Sequence, residues 1–440
     1  MTEISLTPEE KIEETLPASK KAVLAIQHVF IMNAYVVPVI VASIIGFTSE
    51  QSSSLIQATL LASGIATLLQ AKFFMKYPVV YGASFVPIGA IVGIYFLNGG
   101  TIEAWSYVVG ACFAGAIALT LLGLSKRFKA VLDRLVTPVV SATIVLCIGL
   151  ALIPLAFSSM IASDDPNIFG NNLLIAFVTM ATMVVFSMLG LKPGKFGTIS
   201  RIGSGIFALI AGFITAGLLG PIDMIPVHNA SWLARPALPF IDYGVKFDFM
   251  SVLTMIVLYF IMMTETTGTW FVTSSATDTE LTEERVNKGV IGLGISNAIG
   301  SLLGATPQTG YSSNVGILTI TDIFSRHVFT YVGILLIVIG CSAKLTSLIA
   351  VIPGAAVGGI FLLTSGIIAA AGVGMFKNIE IGLKETYIIA ISSIVAIALN
   401  IVPAGAFEFL PVLVQYILGS SIATSALVAI LLNKIIPDAK

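Results

Sequence analysis

The sequence predicts an all-α polytopic membrane protein of about fourteen transmembrane segments in two inverted repeats of seven, and three observations carry that prediction. Of 440 residues, 57% are hydrophobic and 10% charged, with a mean hydropathy of +1.01, far outside the soluble globular range. Apolar runs of about twenty residues, the length that crosses a bilayer core, fill nearly the whole chain. Two of those runs, third in each half, are interrupted by Pro and Gly.

A charged tail, residues 1–19, leads into the first run, 20–46. That run is too long for a cleaved signal and lacks an A-x-A site, so the N-terminus is expected to be kept. Runs at 53–71, 104–124, 136–158, 172–190 and 203–220 read as continuous spans, as do 249–274, 288–304, 328–350, 354–375, 386–403 and 413–433. Little remains for a soluble domain. The third run, 79–97, differs: Pro78 to Pro87 reads as an extended piece, with Tyr81, Gly82, Ala83, Ser84 and Phe85 at its centre, before a short apolar stretch from Ile88 to Leu97. The tenth, 311–323, is led in by Pro307, Gln308, Thr309 and Gly310 and carries Tyr311, Ser313, Asn314 and Gly316 ahead of a run too short to span.

Irregular backbone at membrane depth is tolerated only where it is buried in protein or lines a cavity. A matched pair of interrupted segments therefore points to an inverted-repeat transporter with its site at the repeat interface. A half-helix leaves amide N–H groups unpaired at its N-terminus, where the helix dipole offers about half a positive charge. The competing reading is two ordinary spans kinked by Pro and Gly.

Charge distribution sets the expected orientation. With both termini cytoplasmic, 19 of the 22 Lys and Arg fall on that side, leaving Arg235, Lys246 and Lys344 opposite, the bias expected of an inner-membrane protein with an even number of spans. Cys112, Cys147 and Cys341 lie in apolar runs without paired spacing and read as small core residues, with no disulfide or metal site implied.

Glu265 sits near the middle of the apolar run from Phe249 to Ala276. A charge at bilayer depth costs about 2.5–3.5 kcal/mol on insertion scales and is kept where it faces a cavity and has a function. The bland alternative is a protonated Glu bonded to a neighbouring carbonyl. An enzyme needs a nucleophile with its base, or a metal cluster. The three His, His28, His228 and His327, stand in no HExxH pattern, and no GxSxG or DDxxD-like cluster occurs. Neither a cofactor nor a nucleic-acid partner is expected.

The stretch from Ser313 to Thr321 resembles the signature of the nucleobase and ascorbate transporter family (nucleobase:cation symporter-2), in which NxGxxxxT is matched here by Asn314, Gly316 and Thr321. Other family elements are similar and occur in order: Gln27 with His28 in the first segment, Ala83, Ser84 and Phe85 in the third, Glu265 followed by Gly268 in the eighth, and the PxTxYSxN run from Pro307 to Asn314. The resemblance implies uptake of a purine or pyrimidine base driven by a proton or sodium gradient, and a homodimer. It also implies a core domain, residues 20–135 and 246–352, working against a gate domain, 136–245 and 353–440.

A nucleobase is a flat ring whose edge alternates N–H donors and carbonyl acceptors. Its recognition calls for a carboxylate, which Glu265 supplies, and for amide or hydroxyl donors around Ser84, Ser313 and Asn314. Phe85 and Tyr311 could flank the ring; lipid or core contact is the usual fate of such aromatics. Asn314 reads equally as a brace between the half-helices. His28 fits proton traffic or a structural hydrogen bond, and Gln27, Thr269, Gly316 and Thr321 are expected in coupling or support. This chain departs from the family at Ser313, where Gln or Glu is usual, at Leu293 and Thr269, where ionisable groups are frequent, and at Asp322. A purine such as xanthine, urate or hypoxanthine is favoured over uracil. A small-anion carrier on the same architecture is the alternative from another class, and Glu265 argues against it.

Overall fold

The computed structural model describes residues 7–437 apart from 33, 127, 131–136, 161–165, 312–313, 315–317, 319–322, 403–405, 408 and 411. In chain order the described helices begin with α1 (Pro8–Glu13), α2 (Ala18–Met32), α3 (Val36–Ile45) and α4 (Ser49–Lys72). Strand β1 (Tyr81–Ala83) precedes the half-helix α5 (Ile88–Leu97), followed by α6 (Trp105–Leu124), α7 (Pro138–Met160), α8 (Pro166–Leu189) and α9 (Lys195–Leu219). Two short helices, α10 (Ile225–Asn229) and α11 (Pro239–Asp242), lead to α12 (Phe249–Thr277), α13 (Glu283–Leu302) and strand β2 (Gln308–Gly310). The chain continues through α14 (Arg326–Gly340), α15 (Ala343–Ala350), α16 (Gly354–Met375), α17 (Leu383–Ala398), α18 (Val412–Leu418) and α19 (Ser421–Ile435).

Among the described residues, six helices are long and apolar enough to cross a membrane, and the α14–α15 pair, bent by 79°, makes a seventh. Three runs expected to be continuous are broken. The first divides into α2 and α3 because Pro38 cannot donate a helix hydrogen bond and belongs in a first turn, so the helix restarts at Val36. The eleventh bends where Ser342 caps α15, accepting from the Leu345 amide at 3.4 Å. The last breaks where Ser420 caps α19, accepting from Ala423 at 3.3 Å. In each case a local backbone rule overrides an unbroken hydropathy signal. The interrupted third run and the lead-in to the tenth do contain extended backbone, as β1 and β2.

The helices pack in two groups. In one, α4 lies against α14, α13 and α15, and α6 against α13 and α12. In the other, α16 packs on α7 and α8, α8 on α9, and α19 on α17 and α7. Small residues permit the closest approaches, as expected where lipid supplies no hydrophobic drive between helices. A Cβ added to Gly64 of α4 would lie 2.6 Å from the Gly333 carbonyl of α14.

The N-terminal helix clasps one end of the first group. Thr7 caps α1 in a reciprocal box with Glu10, Ile12 and Leu16 are buried, and two Arg–carboxylate forks hold it down. Arg285 donates to both Glu9 oxygens at 2.9 Å, and Arg326 to both Glu13 oxygens at 2.7 Å. His327 also faces Glu13, 3.9 Å away. The Arg326 guanidinium holds the Glu13 carboxyl below the ordinary glutamate value of 4.5. A carboxyl lowered on docking stabilises the docked state above that value and loses the contribution as pH falls through its depressed range. Protection of the 8–13 amides from exchange, relative to the intrinsic rate at each pH, should therefore fall on acidification below the ordinary glutamate value of 4.5, and Glu13→Gln should flatten the dependence.

Candidate functional site

β1 and β2 pair antiparallel with Tyr81 opposite Gly310, Gly82 opposite Thr309 and Ala83 opposite Gln308. The ladder extends at each end: Ser84 N–H donates to Pro307 O at 2.8 Å, and Tyr311 N–H to Val80 O at 2.9 Å. Both strands are buried. A two-stranded sheet has two outer edges, whose polar groups must find partners inside the protein.

Side chains supply them. Thr67 of α4 accepts from Tyr81 N–H at 3.0 Å and donates to Tyr81 O at 3.3 Å. On the β2 side, Thr266 accepts from Gly310 N–H at 3.3 Å and Thr269 donates to Gly310 O at 3.0 Å. Asn297 of α13 takes both groups of Gln308, accepting from its N–H at 2.6 Å and donating to its carbonyl at 3.1 Å. The Tyr311 hydroxyl donates to Ala83 O at 2.6 Å, which lays its ring over Gly82. The paired strands are thus fixed to α4, α12 and α13.

Glu265 projects from α12 toward this junction. The Ser84 hydroxyl donates to its Oε2 at 3.2 Å while accepting from Val86 N–H at 3.2 Å. Thr309 interacts with the same carboxylate, and Thr309 and Thr266 hydroxyls lie 2.7 Å apart. Tyr311 is near enough to feel the Glu265 charge. The side chain keeps partial exposure between buried neighbours on its helix, Thr264 and Thr266. Phe85 stacks almost parallel, at 10°, on Phe361 of α16 with centroids 5.6 Å apart.

His28 is buried, tilted against Phe329 at a centroid distance of 4.7 Å. It lies near Asn314, but among the described residues His28 Nδ1, both amide atoms of Asn314 and Gln27 Oε1 are buried without a hydrogen-bond partner. Ser313, Gly316 and Thr321 lie outside the described residues, as does Asp322. The geometry therefore brings together Glu265, Ser84 and Tyr311, ties Thr269 to β2, and sets His28 with Asn314.

Sequence reasoning missed Thr309, Phe361, Thr67 and Asn297. For Thr309 a signal existed in its place between Pro307 and Tyr311. The threonines at 266, 269, 273 and 277 of α12 were a second signal, a polar stripe of helical spacing beside Glu265. Phe361 and Asn297 carry none, being ordinary residues of apolar runs until the fold sets them against the third and tenth segments.

Chemically the junction offers one carboxylate acceptor, rotatable hydroxyls and two aromatic rings. Such a set matches a planar ligand with adjacent N–H and carbonyl groups.

Residues 19–405 match the sequence profile of a permease family, that of the xanthine and uracil permeases. The chain is 31% identical to the uric acid permease PucK of Bacillus subtilis (strain 168), over 96% of each chain. It is 30% identical to the nucleobase transporter PlUacP of Paenibacillus larvae subsp. larvae, over 94% of each. Its fold is similar to the transmembrane domain of a cyanobacterium bicarbonate transporter, BicA, with a TM-score of 0.64 and 15% identity over 88% of this chain and 97% of that one.

Proposed function

Because this chain belongs to the xanthine and uracil permease family of nucleobase transporters, we propose that it imports a purine base, such as xanthine, urate or hypoxanthine, by proton symport. The observation that carries this reading is the Glu265 carboxylate held against the Ser84 hydroxyl where two interrupted segments meet. In this reading Glu265 accepts the N–H edge of the base, Ser84 and Thr309 donate to ring carbonyls, and Phe85 and Tyr311 flank the ring. Ser313 and Asn314 complete the tenth-segment side, and His28, Gln27, Thr269, Gly316 and Thr321 support it. A carboxylate at membrane depth without a cationic partner among the described residues is costly. Protonation removes that charge for the inward step, whereas the N–H groups of the base only hydrogen-bond to it, and this supports proton over sodium coupling.

The two packing groups support a core of residues 20–135 and 246–352 that moves against a gate of 136–245 and 353–440, fourteen segments in two inverted repeats. The family places the protein in the membrane, and the Lys and Arg asymmetry supports cytoplasmic termini in a plasma-membrane homodimer. The likeness to a bicarbonate transporter supports a second reading, a small-anion carrier. A carboxylate at the site opposes it by repelling the ligand. A thermal-shift screen of purified protein against purines, uracil, sulfate and bicarbonate, with and without sodium and at two pH values, tests both. Stabilisation by a base and not by the anions is expected; the reverse would replace the proposal with the second reading.

A further inference from the structure

Gln308 is the most heavily tethered residue of β2. Asn297 binds its backbone N–H and carbonyl together, so the side-chain amide imitates a neighbouring strand on the open edge of the sheet. The Gln308 side chain is fixed as well: its Oε1 accepts from Ser63 of α4 at 2.5 Å, and its Nε2 donates to Thr306 O at 2.6 Å. Asn297 itself is buried; its Nδ2 also donates to Leu293 O at 3.0 Å, and Tyr259 OH reaches its Oδ1 at 3.5 Å.

The residues on either side of Gln308 are the ones that meet the Glu265 junction. Pro307 O receives the Ser84 N–H, and the Ser84 hydroxyl donates to Glu265. Thr309 faces the same carboxylate, with its hydroxyl 2.7 Å from that of Thr266. A shift of Gln308 along or across the sheet would therefore displace both hydroxyls from the carboxylate. α13, which carries Asn297, does not itself supply a group to that carboxylate among the described contacts.

We propose that Asn297 is a positioning residue for nucleobase recognition: by pairing with both backbone groups of Gln308 it sets the height of the 307–309 strand against Glu265. This rests on the nucleobase reading of the site. A three-residue strand has too few ladder bonds to fix its own register, so a side-chain amide at its edge decides where its hydroxyl stands. Unpaired backbone groups left by loss of the amide are expensive in a buried setting, and the strand will shift to find other partners.

The test compares Asn297→Leu, close in volume and unable to pair, with Asn297→Asp, which can accept from Gln308 N–H but cannot donate to its carbonyl. Ser296→Ala on the same helix is the control, since the Ser296 hydroxyl bonds back to Gly292 O and not to the Asn297 amide or Gln308. Uptake of labelled xanthine, urate and uracil is measured for KM and maximal rate per folded transporter, with binding of the same bases to purified protein. Asn297→Leu is expected to raise KM about tenfold and to change the order of preference among the bases, with a smaller rise for Asn297→Asp. The maximal rate per folded transporter and the Ser296→Ala values should hold. Should Asn297→Leu fail to fold, Ser63→Ala, which removes the other tether of Gln308 at little change in volume, is expected to raise KM a few-fold in the same direction. Unchanged KM and base order in folded Asn297→Leu, or in Ser63→Ala where it stands in, would overturn the positioning role. A wild type that binds no base would instead overturn the nucleobase reading itself, which keeps the two failures apart.

Discussion

Glu265→Gln is expected to abolish accumulation of the base, with initial uptake down by about a hundredfold or more while the protein still reaches the membrane. Gln matches Glu in shape and can still accept from the Ser84 hydroxyl, so folding is largely spared. It fails in two ways. Its amide presents N–H donors to the N–H edge of a base, turning an acceptor–donor pair into a donor–donor clash. It also cannot take up and release a proton, so any residual binding would be uncoupled from the gradient. Labelled-base uptake in cells lacking their own permeases, normalised to transporter in the membrane, reads the effect. Normal uptake by Glu265→Gln would remove Glu265 from the site.

Gly89→Val is expected to cut uptake about tenfold or more while leaving base affinity within a few-fold of wild type. Gly89 stands in the first turn of α5, and a Cβ there would lie 2.6 Å from the Gly419 carbonyl and 3.1 Å from Ser420 Cα. Those residues form the break between α18 and α19, where Ser420 also donates to Val86 O at 3.3 Å. With the Phe85–Phe361 stack, this seats the third segment on the proposed gate. A valine side chain forces the two apart. Overpacking of this kind costs about 1–3 kcal/mol, enough to depopulate the seated conformation by a factor of about five to a hundred or more. Gly89 does not touch Glu265, so binding should survive where turnover does not. Parallel loss of binding and uptake would place Gly89 within the ligand site, and full uptake would show that the seat is not visited during transport.

How much of this was legible in the sequence depends on the range of the interaction. Glu265 stood out because a carboxylate in an apolar run violates a local expectation. β1 and β2 were legible as extended pieces because Pro and Gly bracket them, but their pairing was not: three-residue strands joined across more than two hundred positions leave no periodic trace. The breaks at Ser342 and Ser420 were hidden because one capping serine barely alters the mean hydropathy of a long window. Thr269 and Leu293 illustrate the remainder. Read only as lost ionisable groups, both have places in the fold: the Thr269 hydroxyl closes the Gly310 edge, and Leu293 is core whose carbonyl receives the Asn297 amide. Such long-range side-chain-to-backbone pairs are invisible until the backbone is placed.

The most direct measurement of the central claim is a structure of the protein with a bound purine. Expected is a flat ring with an N–H edge at hydrogen-bond distance from the Glu265 carboxylate, Ser84 and Thr309 turned to its carbonyls, and the Phe85 ring moved off Phe361 to face it. A base bound elsewhere, with Glu265 still closed on Ser84 and Phe85 still stacked on Phe361, would contradict it.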